Sequence, residues 1–363
     1  MSVFLHERLP SLLQPYFGNG RNIPSIIVAL GLGAVAGVAL PASAKFLSWF
    51  RLYFLHRSKI SRYHHSPPPV SSSRGTPSSL VEPATTKIPS TNPWALVTGA
   101  SDGIGAGFVS ELAFHGFNII LHGRNLTKIQ TQITSLQQDY PNLQFEPWIS
   151  DASDRSTWST AFSSLQQLIE NRGIHLTVLV NNVGGNPNLK RSFTPLSEYE
   201  ETELNRLIDM NLTFPTQLTC LLLPQLSVNK PSLVLNMSSA VASTPIPYIC
   251  GYAASKAFNS QFSKTLRLEL VAEGHQEVDV LSVTAARVKS AGVGDIEVNW
   301  LTPTSRDFAR STIGLVGCGR EEVVGWWSHA MQVWSLTVVP MWLRDWILVD
   351  IATRERQEWR KKN

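Results

Sequence analysis

Cysteine is scarce, with three in 363 residues, and Cys220, Cys250 and Cys318 lie far apart in the sequence. That excludes a disulfide framework and the paired spacing of a zinc site, and it fits a reducing compartment. A strong charge of either sign is also missing. The chain has 31 Lys and Arg against 27 Asp and Glu, so it carries +4, a mild basic bias gathered at its ends. Nothing in that balance calls for nucleic acid as a partner. No internal repeat is present. From Ile23 to Ala44 there is no charged residue at all.

About 20 such apolar residues cross a bilayer as a helix, so an N-terminal transmembrane helix is expected there. Lys45, Arg51, Arg57, Lys59 and Arg62 follow the stretch, against Arg8 and Arg21 before it. This asymmetry places the rest of the chain in the cytosol. The tripeptides at Asn125, Asn211 and Asn236 fit the glycosylation pattern, and a cytosolic domain never meets the transferase. Phe46 to Leu55, aromatic and basic, suits the membrane interface. These signals divide the chain into an anchor over 1–60, a Ser/Pro-rich linker over 61–93, a globular domain over 94–330 and an aromatic, basic tail over 331–363. Within the tail, Val333 to Val349 is apolar and Trp-rich but broken by Pro340, Arg344 and Asp345. It reads either as an interfacial segment or lid, or as an ordinary packed helix pair.

The globular domain opens on a short apolar strand, Ala95 to Val97, then Thr98-Gly99-Ala100-Ser101-Asp102-Gly103-Ile104-Gly105, then helical spacing through Phe108 and Leu112. Strand, glycine-rich turn and helix together make a pyrophosphate cradle: Gly99 for the turn, Gly103 and Gly105 for close approach to a helix N-terminus. Further apolar runs at 118–121, 143–149, 176–180, 233–237 and 278–283 alternate with helical segments. One of those is a long helix over 198–226, with Pro215 as a kink. The alternation predicts an α/β fold, a doubly wound parallel (Rossmann) sheet with its ligands at the strand carboxyl ends. The second strand ends in His122-Gly123-Arg124-Asn125. No acidic residue stands there for the ribose hydroxyls, and Arg124 can pair a 2′-phosphate, which favours NADPH over NADH.

Tyr252 and Lys256 stand one helical turn apart. A nearby ammonium favours the phenolate and draws its pKa toward the working range. Ser239, at the end of an apolar strand, can be returned to the tyrosine by the loop between. Such a set moves a proton to or from a carbonyl oxygen. On a random helix the same Tyr-Lys pair is only a surface pair.

These residues resemble the short-chain dehydrogenase/reductase superfamily from Trp94 to about Val283. The resemblance implies a catalytic set of Asn211, Ser239, Tyr252 and Lys256. It implies cofactor contacts from Thr98, Gly99, Ser101, Gly103, Ile104, Gly105, Arg124, Asp151, Asn181, Tyr252, Lys256 and Ser290. Asn181-Asn182-Val183-Gly184 is similar to a family signature that steadies the central sheet. The opening Trp94 to Gly105, the 179–184 run, Thr302 to Gly317 and Trp327 to Ala330 resemble a narrower group. These are the microsomal very-long-chain 3-oxoacyl-CoA reductases, which include 17β-hydroxysteroid dehydrogenases of the type 12 kind. That group implies an endoplasmic reticulum membrane enzyme of fatty acid elongation, a long-chain acyl-CoA or lipophilic ketone substrate, contacts with other elongation enzymes, and a homodimer. A steroid dehydrogenase and an inactive membrane scaffold are the competing readings. Arg360-Lys361-Lys362-Asn363 is an imperfect dilysine retrieval signal. The proline that the family carries after the sixth strand is absent from Val283 to Ser290.

Overall fold

The computed structural model describes residues 43–67, 92–186, 193–290 and 296–362. The chain divides into two units, Met1–Leu55 and His56–Asn363. In the first, residues 43–50 are helical and run into a π-helical turn, Arg51–Leu55. The rings of Phe46, Phe50 and Phe54 stack along it. Residues 23–42 of the expected span lie outside the described residues. Among those described, no helix is long and apolar enough to cross a membrane.

The second unit is a seven-stranded sheet with every pairing parallel. The strands are β1 (Trp94–Val97), β2 (Asn118–Gly123), β3 (Phe145–Ile149), β4 (Leu176–Asn181), β5 (Ser232–Ser239), β6 (Val278–Ala285) and β7 (Glu322–Val324), in the order β3-β2-β1-β4-β5-β6-β7. The order reverses beside β1, so the carboxyl ends of β1 and β4 flank a natural ligand crevice. The central strands are apolar on both faces because helices cover both sides. All residues of β1, β2 and β4 are buried.

The helices are α1 (Gly103–Phe114), α2 (Leu126–Asp139), α3 (Trp158–Arg172), α4 (Glu201–Ile208), α5 (Phe214–Val228), α6 (Cys250–Ala272), α7 (Ser305–Gly314), α8 (Trp327–Val338) and α9 (Met341–Lys362). Asn125 caps α2 by accepting from the Lys128 amide at 3.0 Å. Leu165, Leu218, Leu222 and Leu226, from α3 and α5, pack with Leu96 and Leu179 in one buried cluster.

Three features depart from the sequence reading. The long helix over 198–226 is two helices, α4 and α5, joined by a π-helical turn, Asp209–Thr213, that holds Asn211. Pro215 sits at the start of α5 and has no N–H to donate to the Asn211 carbonyl, so the regular ladder cannot run through. Residues 56–66, split by the sequence reading between anchor and linker, pack on the domain: Lys59 N donates to Val316 O at 3.0 Å and Tyr63 OH to Asp279 at 2.6 Å. The C-terminal segment after 330 continues the same unit as α8 and α9.

Candidate active site

The glycine turn after β1 begins the site. Gly99 (φ +64°) and Gly103 (φ +57°) both hold left-handed backbone, which glycine adopts without strain. Asp102 caps α1 by accepting from the Gly103 amide. A Cβ on Gly105 would lie 2.0 Å from the Gly99 carbonyl oxygen, so only glycine lets α1 pack onto its own turn. Thr98 is fully buried and ties β1 to β4: its hydroxyl donates to Val180 O and accepts from the amides of Asn182 and Val183 at 2.8 and 2.9 Å.

His122, at the end of β2, was not singled out from the sequence. Its Nδ1 accepts from the Gly99 amide at 3.3 Å, and its ring stacks on Phe214 and lies tilted against Trp148. Burial lowers its pKa to about 4, so the ring stays neutral and can accept. A histidine closing an apolar strand carries no sequence mark of this task. Arg124, two residues on, is exposed at the edge of the cleft and forms no ion pair among the described residues. Asp151 lines the same end and accepts from the backbone and hydroxyl of Ser153.

Ser239 ends β5 and Tyr252 lies in the first turn of α6. The loop between them returns both side chains to one cleft, as expected, close enough for the Ser239 hydroxyl to act on the phenol. Lys256 is buried, with Nζ 5.7 Å from the Tyr252 ring centre and donating to Met237 O at 3.2 Å. Burial pushes the phenol above its ordinary pKa, and the Ser239 hydroxyl pulls it partly back. Burial also lowers Lys256 to about 8. The expectation that Lys256 draws the phenol down is not met: loss of solvent sets the direction, and what opposes it is Ser239 rather than Lys256.

Asn211 uses its side chain to grip the loop after β4. Oδ1 accepts from Gly185 N at 2.9 Å, while Nδ2 donates to Gly185 O at 2.7 Å and to Leu207 O at 2.9 Å. A Cβ on Gly184 would sit 2.8 Å from Asn211 Oδ1 and 2.9 Å from Lys256 Nζ. Asn211, Gly184 and Lys256 thus meet at one point.

A cleft of about 520 Å³ joins the two halves. Ser101, Gly103, Ile104, Arg124 and Asp151 line one end, and Ser239, Tyr252 and Lys256 the other. Ser290 lines it too, with its Cβ 3.0 Å from where a Cβ on Gly103 would be. Three of the expected cofactor residues, Thr98, Gly105 and Asn181, do not line it. Thr98 serves the β1–β4 tie, and Asn181 donates to Thr219 and Asn236 under the sheet. The turn after β6, which lacks the family proline, is held by His329: Nδ1 accepts from Ala286 N at 3.3 Å and the other ring nitrogen meets Leu301 O at 3.1 Å.

The residues fit a dinucleotide. A Cβ would fill the cradle at Gly103, backbone amides open the α1 N-terminus, and an unpaired guanidinium stands at the adenosine end. No group of His, Cys, Asp and Glu suited to a metal occurs among the described residues.

Comparison with known proteins agrees with this geometry. The short chain dehydrogenase family model matches residues 93–298. A very-long-chain 3-oxoacyl-CoA reductase of Podospora anserina is 30% identical over 72% of this chain and 77% of its own. Human 17-beta-hydroxysteroid dehydrogenase type 3 is 31% identical over 69% and 76%. Human inactive hydroxysteroid dehydrogenase-like protein 1 is 29% identical over 70% and 74%. The structure of a short-chain dehydrogenase from Sphingobium yanoikuyae in complex with NADPH superposes with a TM-score of 0.54 at 22% identity, covering 69% of this chain and 97% of that one. The chain belongs to the short-chain dehydrogenase family.

Proposed function

We propose that this enzyme is a membrane-anchored, NADPH-dependent ketoreductase that converts a long-chain 3-oxoacyl-CoA to the 3-hydroxyacyl-CoA in fatty acid elongation. The observation that carries the reading is half-buried Ser239 and Tyr252 beside buried Lys256, facing the glycine turn across one cleft. The 30% identity to a reductase named for that substrate supports the substrate class.

NADPH, when bound, supplies the hydride for the carbonyl carbon. The glycine turn and the α1 N-terminus receive its pyrophosphate, and Arg124 pairs its 2′-phosphate. Tyr252, kept protonated by burial, donates its proton to the carbonyl oxygen. Ser239 donates a hydrogen bond to that oxygen as negative charge grows on it. Lys256 spends one N–H on Met237 O, which leaves donors for the nicotinamide ribose. Proton resupply runs past Asn211, whose carbonyl the π-turn releases from the helix ladder. Ser290 holds the carboxamide end. Substrate carbonyl, hydride and proton balance to the secondary alcohol.

The apolar 23–44 stretch anchors the chain in the endoplasmic reticulum membrane with the domain in the cytosol. Pairing through the helices that hold Asn211 and Tyr252 gives a homodimer, and the exposed Phe258, Leu268 and Val271 on α6 support it. The similarity to a steroid dehydrogenase favours a lipophilic ketone as the second reading. An inactive relative exists, but this chain keeps Asn211, Ser239, Tyr252 and Lys256. The test is NADPH oxidation against a panel of 3-oxoacyl-CoAs and 17-ketosteroids, with Tyr252→Phe as control. Turnover of steroids alone would overturn the acyl-CoA assignment. No turnover of any ketone would leave the scaffold reading. For the cofactor, Arg124→Ala lowers kcat/KM with NADPH by about tenfold or more and leaves NADH unchanged, since a charge-assisted pair is worth about 1.5–3 kcal/mol. Equal wild-type efficiency with both cofactors would overturn the NADPH preference.

A further inference from the structure

Between Glu322 and Arg344 the chain has no formally charged residue. That run includes all of α8 and the start of α9, yet much of it faces solvent. On α8, Met331, Trp334 and Val338 recur at spacings of three and four and are all exposed. On α9, Trp342 is 73% exposed, Trp346 66% and Val349 51%, again at helical spacing, with Met341 69% exposed beside them. Val339 is extended ahead of Pro340, so the two helices break rather than fuse, and neither is long and apolar enough to span a bilayer.

The two helices are joined to the rest of the domain near the cleft at several points. His329 of α8 holds the Ala286 amide at the cleft wall, and Ser328 donates to Trp300 O at 2.6 Å. Arg356 of α9 lies 4.7 Å over the ring of Tyr248 and donates to Glu198 at 3.0 Å. Tyr248 lies four residues before Tyr252 and is the one non-glycine residue among those described with left-handed backbone (φ +70°). A bulky residue held there stores strain, which persists only where its surroundings impose it.

We infer that α8 and α9 form an in-plane membrane-docking surface that seats the mouth of the catalytic cleft on phospholipid. A tryptophan-rich exposed face, charge-free along α8 and carrying at the start of α9 only Asp345, which Arg344 pairs, suits the interfacial layer, where indole rings partition. The charge around it is complementary to anionic headgroups. From Met341 to Asn363 there are six basic residues against four acidic, and Asp345, Asp350 and Glu355 are each paired with an arginine. A soluble partner protein with its own charged rim would find nothing to pair with over α8. The inference deepens the proposed function, since a substrate with a long acyl chain then enters from the bilayer rather than through water.

The test needs no turnover, so it stands or falls apart from the substrate assignment. The full chain is reconstituted into phosphatidylcholine vesicles with a minority of phosphatidylserine, using phosphatidylcholine brominated on its acyl chains. Tryptophan quenching is compared between wild type and the Trp334→Phe/Trp342→Phe/Trp346→Phe variant. Phenylalanine keeps the apolar face and removes the reporters, and circular dichroism checks the fold. The variant is expected to lose most of the bromine-dependent quenching, although eight of the eleven tryptophans remain. Equal fractional quenching in both proteins overturns the proposal. So does a cross-link through these two helices between two copies without quenching, which would make the face a dimer contact.

Discussion

The two ends of the parallel sheet are finished in opposite ways. At the amino ends, residues 56–66 run across the strands and close them with hydrogen bonds. Ser58 Oγ donates to Ile313 O, Thr177 Oγ1 to Tyr63 O, and His65 meets Pro231 O. At the carboxyl ends the strands give way to left-handed glycines, a strained Tyr248 and a buried lysine with one hydrogen bond. The closed end holds the fold together. The open end keeps backbone amides and ionisable groups free for a ligand, and there burial raises the Tyr252 phenol and lowers Lys256.

The comparison breaks most visibly at Tyr252. Tyr252→Phe keeps the buried ring and removes the donated proton. A kcat loss of at least ~10²-fold is expected, the usual contribution of a general acid, with NADPH binding and thermal midpoint kept. Steady-state kinetics beside fluorescence titration of the cofactor checks it, and near-normal turnover would mean another acid acts.

Gly184→Ala tests whether the open end tolerates one methyl group. The new Cβ meets Asn211 Oδ1 at 2.8 Å and Lys256 Nζ at 2.9 Å, so one of them must move. A displacement of about 1 Å in a catalytic group costs roughly 10²-fold in rate. Gly314→Ala, with open space around its Cβ, is the control and leaves kcat unchanged.

Lys256 gives the comparison a pH dependence. Its pKa is about 8 in the folded chain against an ordinary 10.5. The unfolded chain therefore binds more protons between about pH 8 and 10.5, and stability contributed by this group rises with pH over that window and is lost as pH falls through 8. The slope is at most ~1.4 kcal/mol per pH unit. In urea titrations of the cofactor-free protein, wild type gains on Lys256→Met from pH 8 to 9.5. Parallel curves would show that the lysine is not perturbed. Activity runs the other way: ketone reduction needs the cation and falls above pH 8.

Much of this contrast was legible beforehand, but unevenly. Five of the first six strands are apolar runs between turn residues, so burial on both faces writes them into the sequence; β3, with Glu146 and Pro147 inside it, is only partly buried. The seventh, Glu322–Val324, is three residues long and carries no periodic signal. The glycine turn and the Ser239, Tyr252 and Lys256 set are legible because local spacing places them. The π-turn at Asn211 was hidden, because a proline at 215 reads as a kink and not as a freed carbonyl four residues earlier. His122 and His329 were hidden because each acts on a distant backbone amide. The strap formed by residues 56–66 is the least legible part. Its His, Tyr and Arg residues precede a Ser/Pro-rich run and look like part of a tether, yet their partners lie between 50 and 260 residues away.

The smallest expected effect belongs to that strap. Tyr63 is 1% exposed, and its hydroxyl donates to Asp279, which also accepts from Arg62 at 2.9 Å. Burial and the adjacent carboxylate both raise the phenol's pKa, so it stays a donor throughout the working range. Tyr63→Phe removes one charge-assisted bond and leaves the ring packed. Asp279 keeps Arg62 and partial solvent access, so no buried charge is stranded. The cost is then about 1–2 kcal/mol of unfolding free energy, near the net worth of one such bond. Because the change is at the closed end, kcat and KM for the ketone should not move. Urea unfolding and steady-state kinetics on the same preparation decide it. A loss of activity with stability intact would mean the amino end communicates with the cleft, and the division of labour between the two ends would have to be given up.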